Sequence, residues 1–230
     1  NDRTIPAWFY EQGFVRKETE ITFNPKETRK IVIVGESTAF VTTIKRKLEE
    51  VGHHCYLVGN REAYLSILKQ EEIDDVINLL NYEKQDADGN EIEKIRNANE
   101  NGIFFISETI KACGKEKNLR IFTVTNNCEY SNIMKNKYHF GTLDGFSRSV
   151  NLELPNLMCI RIDLDVSEND VNSIIKEIAA IHRDDKVVYR EGKRYVDSLQ
   201  PIDMPLSLQN EIALIKDGIY VVTGGLGGIG

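Results

Sequence analysis

Lys30-Ile31-Val32-Ile33-Val34-Gly35-Glu36-Ser37 opens the regular part of this 230-residue chain. Four consecutive β-branched residues closed by a glycine predict a strand buried on both faces, the habit of parallel sheets covered by helices on each side. Phe40, Ile44, Leu48 and Val51 then recur at helical spacing, with Gly52 placed as a stop. Cys55 to Val58 reads as a second strand, Tyr64, Leu65 and Leu68 as the apolar positions of a helix, and Val76 to Leu80 as a third strand. A β-α-β-α-β order is thus legible by residue 80.

Beyond a polar loop from Asn81 to Asn90, one longer helical region is expected to about Lys115, with Ile103, Phe104, Ile106, Ile110 and Ala112 as its apolar part. Ile121 to Val124 reads as a fourth strand, Gly141 to Leu154 as a helix, Met158 to Ile162 as a fifth strand, and Val171 to Ile181 as a helix with Ile174, Ile175 and Ile178 inward. Strands and helices alternating at this spacing imply a doubly wound parallel sheet. Val187-Val188-Tyr189 and Tyr195-Val196 flank the turn Glu191-Gly192-Lys193 and predict a hairpin. A linker carrying Pro201 and Pro205 follows, then a new strand from Ile219 to Val222. Residues 1–28 read as a first strand and a linker to a preceding domain. The Trp8-Phe9-Tyr10 rings suit core packing and docking against such a domain equally.

The fold class is therefore α/β: a truncated Rossmann-like doubly wound parallel sheet over 29–200, with a terminal hairpin and an additional C-terminal strand in 201–230. A formal net charge of −7 supplies no basic field for a nucleic-acid backbone. No apolar run approaches the roughly 20 residues of a membrane span, and no signal pattern opens the chain. Cys55, Cys113, Cys128 and Cys159 are scattered without metal or redox spacing, as in a reduced, cytoplasmic protein.

The chain closes on Thr223-Gly224-Gly225-Leu226-Gly227-Gly228-Ile229-Gly230. A strand leading into close-set glycines is how a dinucleotide site begins, because the backbone must approach a pyrophosphate with no Cβ in the way. Thr223, Gly224, Gly225, Gly228 and Gly230 are the candidate cofactor-binding residues. Their site is incomplete, since phosphate binding also uses the amides and dipole of a following helix. Gly35-Glu36-Ser37, where a first lobe would carry such a turn, holds one glycine and an acid that repels phosphate, and reads as a degenerate structural turn.

Other constellations carry no chemistry. Asp86 to Asn90 resembles the start of a calcium loop, but Glu91 replaces the required glycine and Asn97 the closing glutamate. Neighbouring His53 and His54 point to opposite faces, so no metal site is assigned. Tyr189 and Lys193 match Y-x-x-x-K only across a glycine turn, where the two do not share a helix face. No Gly-x-Ser-x-Gly or reactive cysteine pattern is present.

Three segments resemble the ketoreductase region of modular polyketide synthases. Gly145-Phe146-Ser147-Arg148-Ser149 with Glu153 and Pro155 resembles its G-[FL]-x-[RK]-[ST]-x-x-x-E-x-P stretch. Tyr189 to Val196 resembles its R-x-G-x-R-Y hairpin, and the terminal glycines resemble the opening of its catalytic subdomain. The resemblance implies a structural subdomain without cofactor, packed on a catalytic subdomain that binds NADP(H) in the intact parent. There the β-keto group of a chain carried on an acyl carrier protein's phosphopantetheine is reduced. Implied partners are the catalytic subdomain, the carrier protein and neighbouring synthase domains; the catalytic Ser, Tyr, Lys and Asn would lie past Gly230, so no catalytic residue is assigned. A non-catalytic spacer or docking domain, or half of a split ketoreductase, are the other readings. Titration of the 230-residue chain with NADPH is expected to give no saturation in the micromolar range; tighter saturation would overturn the structural-subdomain expectation.

Overall fold

The computed structural model describes residues 9–19, 28–82, 90–128, 138–180, 184–202, 215–221 and 223. The chain divides into two compact units, Gly13–Ser198 and Asn1–Gln12 with Leu199–Gly230. Among the described residues the strands are β1 (Tyr10–Arg16), β2 (Lys30–Val34), β3 (His54–Val58), β4 (Asp75–Asn81), β5 (Leu119–Asn126), β6 (Leu157–Leu164), β7 (Lys186–Arg190) and β8 (Lys193–Pro201). The helices are α1 (Ala39–Glu50), α2 (Arg61–Gln70), α3 (Glu91–Asn99), α4 (Phe105–Cys113), α5 (Gly141–Glu153) and α6 (Asp170–Ala179).

The sheet order is β1-β8-β7-β6-β5-β4-β2-β3, with β2 to β7 mutually parallel. β8 returns antiparallel to β7 through a turn in which Glu191 and Gly192 both have positive φ, 52° and 71°, as a tight hairpin demands. β1 is antiparallel to β8, since Lys17 N–H reaches Arg194 O and Ile202 N–H reaches Phe9 O. The doubly wound sheet and the hairpin are as the sequence predicted. The additional strand is not formed within the described residues: 218–221 are outside any strand, and Ile219 and Val221 stand exposed. A buried strand needs neighbours on both edges.

Alternation along each strand splits the core in two. Ile31, Ile33, Ile77, Phe122, Ile160, Ile162 and Val187 face α1 and α6. Val32, Val34, Val76, Ile121 and Cys159 face α2, α4 and α5. Each fully buried aliphatic side chain contributes about 1.5–3 kcal/mol. Helix starts are set locally: Thr38, Asn60 and Asn90 accept from the backbone N–H of Val41, Ala63 and Glu93.

The single long helix expected up to Lys115 is three pieces, α3, a π-helical turn at Glu100–Phe104, and α4. A Cβ on Gly102 would lie 3.3 Å from Leu143 and 3.6 Å from Asn81, so this backbone presses directly on α5 and β4. The extra residue of the π turn rotates Phe104 outward and sends Phe105 and Ile106 into the core, against the inward position predicted for Phe104. Val51, also predicted inward, caps the end of α1 and is exposed.

Crossover geometry holds one exception. β2-α1-β3 steps toward one edge of the sheet over the α1 face. β3-α2-β4, β4-α3-α4-β5 and β5-α5-β6 step the other way over the opposite face, which is the same hand. β6-α6-β7 steps that same way but over the α1 face, and so has the opposite hand, against a rule nearly all such connections obey. A buried ion pair secures it. Arg194 of β8 donates from Nε to Glu177 Oε1 of α6 at 2.7 Å, with both side chains essentially fully buried. Tyr189 donates to the same oxygen at 2.5 Å, and Arg194 also reaches Asp184 Oδ2 and Lys17 O. The C-terminal carbonyls of α6, at Ile178 and Ala180, accept from Arg120, which Asp75 holds in bidentate fashion at 2.6 and 2.7 Å.

Arg194→Met is expected to cost about 3–5 kcal/mol in urea denaturation, because Glu177 stays buried without its cation. The double variant Arg194→Met/Glu177→Leu is expected to recover part of the loss. Burial opposes ionisation of Asp184, but the Lys17 hydrogen bond and the Arg194 charge outweigh it and hold its carboxyl below the ordinary value. A depressed folded value means stability present above the unfolded pKa of about 3.9 and lost as pH falls through the folded one. The stability gap between the parent chain and Asp184→Asn is therefore expected to be full near neutral pH and to close below about pH 4.

Candidate functional site

Ligands of open α/β sheets bind beyond the carboxyl ends of the strands, where strand order reverses. Here that switch point lies between β2 and β4, and it is built as follows. β2 is followed by Gly35, where a Cβ would come within 3.3 Å of Leu79 Cβ, so glycine lets the turn lie against β4. Glu36 O accepts the Thr38 N–H at 2.8 Å, and Thr38 Oγ1 accepts the Val41 N–H at 3.3 Å. Donors that a phosphate would use at the start of α1 are partly taken by the chain itself.

Phe40, in the first turn of α1, stacks on Tyr82, with ring centroids 4.5 Å apart and planes 15° from parallel. The Tyr82 hydroxyl donates at 2.6 Å to Asp170 Oδ2 at the start of α6, and Ser167 Oγ donates to the other oxygen at 2.8 Å. Asn126 at the end of β5 donates to Tyr82 O. Two aromatic rings joined to α6 thus stand at the mouth where an open crevice would receive a dinucleotide, and with Glu36 beside a single glycine the groups present do not fit one.

The same polar lattice continues along the rim. Asp163 at the end of β6 accepts from Thr125 Oγ1 at 2.8 Å, from the Cys128 N–H at 3.0 Å and from Arg190 of β7. Three non-glycine residues with positive φ follow three neighbouring strands: Asn127, Val166 and Glu191 at 49°, 59° and 52°. Val166 is β-branched, so this conformation is strained. Its loop is pinned by the Asn127 N–H on Leu164 O and the Glu191 N–H on Asp165 Oδ2.

Of the candidate cofactor residues, Thr223 lies in an exposed turn; Gly224, Gly225, Gly228 and Gly230 lie outside the described residues. Tyr189 and Lys193 point to opposite faces, because their partners Arg194 and Arg190 are adjacent in the β7–β8 register. Burial, reinforced by Glu177, drives the Tyr189 hydroxyl well above the usual phenol range, the wrong direction for a proton donor to a ketone. His53 Nδ1 accepts the Arg29 N–H at 3.3 Å while His54 packs on Tyr56, so the two rings serve different neighbours. Asp86 to Gly89 fall outside the described residues; Asn90 caps α3. Burial pushes the Cys55 and Cys159 thiols up to about 12, which leaves them unreactive. No described helix is long and apolar enough to cross a membrane.

The residues that define this rim but escaped sequence reasoning are Phe40, Tyr82, Asp170 and Asp163. Phe40 was legible only as a helix position, and an aromatic in the first turn after a degenerate glycine turn was the available signal. Fold and rim together define a Rossmann-like lobe with its own switch point filled from within.

The comparisons with known proteins agree in fold. No protein-family profile matches the chain. Over 101 residues it is 31% identical to polyketide synthase PksN of Bacillus subtilis, a match covering 42% of this chain and 2% of that protein. A solved C2-type ketoreductase from a modular polyketide synthase superposes with a TM-score of 0.66 at 15% identity, over 87% of this chain and 44% of that one. A solved keto acid-selecting NRPS module with adenylation, ketoreductase and pseudo Asub domains gives 0.75 at 20% identity, over 100% of this chain and 21% of that one. The chain thus shares its fold with ketoreductases of modular synthases, and it spans less than half of each of these relatives. Tyr82→Phe is expected to cost about 1–3 kcal/mol by urea denaturation, since it strips a donor from the buried Asp170 carboxylate. Phe40→Ala is expected to open the crevice yet leave NADPH binding undetectable by fluorescence titration, because Glu36 remains.

Proposed function

We propose that this chain is the structural, non-catalytic subdomain of a ketoreductase region, bracing an NADPH-dependent half that reduces the β-keto group of a carrier-bound polyketide. The observation that carries the reading is the filled switch point: a full parallel sheet of ketoreductase fold has the Phe40–Tyr82 stack where a cofactor crevice would open. A lobe of this kind contributes surface and rigidity rather than chemistry.

α5 supplies a surface suited to bracing. Gly141, Gly145, Ser149 and Leu152 form its exposed ridge, and a Cβ on either glycine would meet nothing within 4 Å. Glycine inside a helix costs about 1 kcal/mol relative to alanine, and at Gly145 no internal contact requires it. Close approach of another backbone does. Exposed Phe104 and Leu152 provide apolar area on the neighbouring π turn and on α5.

The test is reconstitution. The catalytic half read from the same parent frame, mixed with this chain, is expected to reduce a model β-keto thioester with NADPH, and Gly145→Arg is expected to lower that rate at least about tenfold while leaving the chain folded. Equal activity of the catalytic half alone would overturn the reading. The likeness to the keto acid-selecting module over the whole chain favours a second reading, in which the parent reduces a keto acid-derived acyl group in a nonribosomal peptide synthetase. Assaying α-keto and β-keto acyl thioesters side by side separates the two.

A further inference from the structure

α3 wears its apolar residues on the outside. Ile92 and Ile95 are 69% and 36% exposed, whereas the Lys94 side chain is only 27% exposed and Asn97 is half-buried. A surface helix ordinarily lays its apolar stripe on the core. Here a lysine and an asparagine take that place.

The cause lies at the π turn. α4 is anchored by Phe105, Ile106 and Thr109, all buried. Counted back from Ile106 along an unbroken α-helix, at about 100° per residue, Ile95 falls at the middle of the buried face and Ile92 at its border. The π turn at Glu100–Phe104 holds one residue more than an α turn. Every residue before it is thereby rotated by about 100°. Ile92 and Ile95 are carried out, and Lys94 and Asn97 are brought in.

Side chains from two other elements hold this register. Fully buried Asn78 of β4 donates from Nδ2 to Asn101 O at 2.7 Å, and Asn81 Nδ2 lies 3.5 Å from Ala98 O. Thr142 of α5 donates to Asn99 Oδ1 at 2.6 Å. Against these few hydrogen bonds, each of modest net worth in water, stands the burial of Ile95 and part of Ile92. The opposing terms are of one order, which is the condition for two populated arrangements.

We propose that α3 is a two-register switch. In the outward register the π turn presents Ile92 and Ile95 to solvent. In the inward register α3 and α4 form one unbroken helix, α3 is turned by about 100°, both isoleucines face the core, and the displaced residue passes into the connection 82–90. The switch decides whether apolar area is offered beside the exposed ridge of α5, and it does not rest on the ketoreductase reading. A partner that covers the two isoleucines holds the outward register through its differential affinity.

Methyl NMR of the 230-residue chain labelled at isoleucine Cδ1 tests this. Relaxation dispersion is expected at Ile92 and Ile95, and none at Ile121 or Ile160 in the central strands. Deletion of exposed Glu100 removes the extra residue and fixes the outward face without a π turn. Dispersion at both methyls is expected to vanish in that chain, while both stay accessible to a soluble paramagnetic probe. Asn78→Leu strips the donor from Asn101 O and is expected to raise the inward population about fivefold or more, read as lost probe access at Ile95. Thr142→Val, on the exposed side of α5 where the core is untouched, is expected to shift it the same way by about twofold. Flat dispersion at Ile92 and Ile95 in the parent chain, dispersion that survives the deletion, or unchanged probe access in both substituted chains would each overturn the proposal.

Discussion

The pairing of Glu177 with Arg194 is the joint on which this architecture turns. α6 returns to the sheet over the face that handedness disfavours, and the burial of Ile174 and Ile178 against the core is joined there by this ion pair. A carboxylate and a guanidinium, both removed from water, meet 2.7 Å apart and take in Tyr189, Asp184 and Lys17. Burying two charges costs several kcal/mol per ion, and the Coulomb gain offsets this only with good geometry and full hydrogen bonding. Its yield is specificity more than stability: α6, the hairpin and the segment after β1 can take one arrangement that satisfies every partner.

Placing α6 on the α1 face has a second consequence at the carboxyl rim. Asp170, at the start of α6, comes within hydrogen-bond reach of Tyr82 at the end of β4, and that bond supports the stack on Phe40. The crevice a Rossmann sheet offers to a cofactor is thus filled by the chain's own side chains. Strain at Asn127, Val166 and Glu191 gathers along the same rim, where backbone hydrogen bonds and Asp165 hold it. The rim carries the marks of a functional edge, but its polar groups are turned inward on each other.

What remains available to partners lies on helix surfaces. The glycine ridge of α5 and the π turn beside it present backbone and apolar area with no internal use, whereas the groove between α1 and α6 is lined by Lys47, Glu50, Ser173 and Lys176. These are different chemistries on opposite faces of one sheet.

The sequence by itself determined the order of strands and helices from Lys30 through the hairpin, the buried run Ile31–Val34, the α5 boundaries within a residue, the hairpin at Glu191-Gly192 and the weakness of the Gly35 turn. All of these depend on residues within a few positions of each other, so periodicity, glycine placement and charge report them directly. The glycines from Gly224 onward were legible as a motif, but a motif names a site only when a sheet and a helix flank it. Tertiary structure alone decided the hand of the α6 crossover, the outward turn of Phe104 and the Phe40–Tyr82 stack. Each depends on a partner brought from another element, across 17 residues for Glu177 and Arg194 and 88 for Tyr82 and Asp170. Periodicity says that a side chain is buried; only the packed chain says against what.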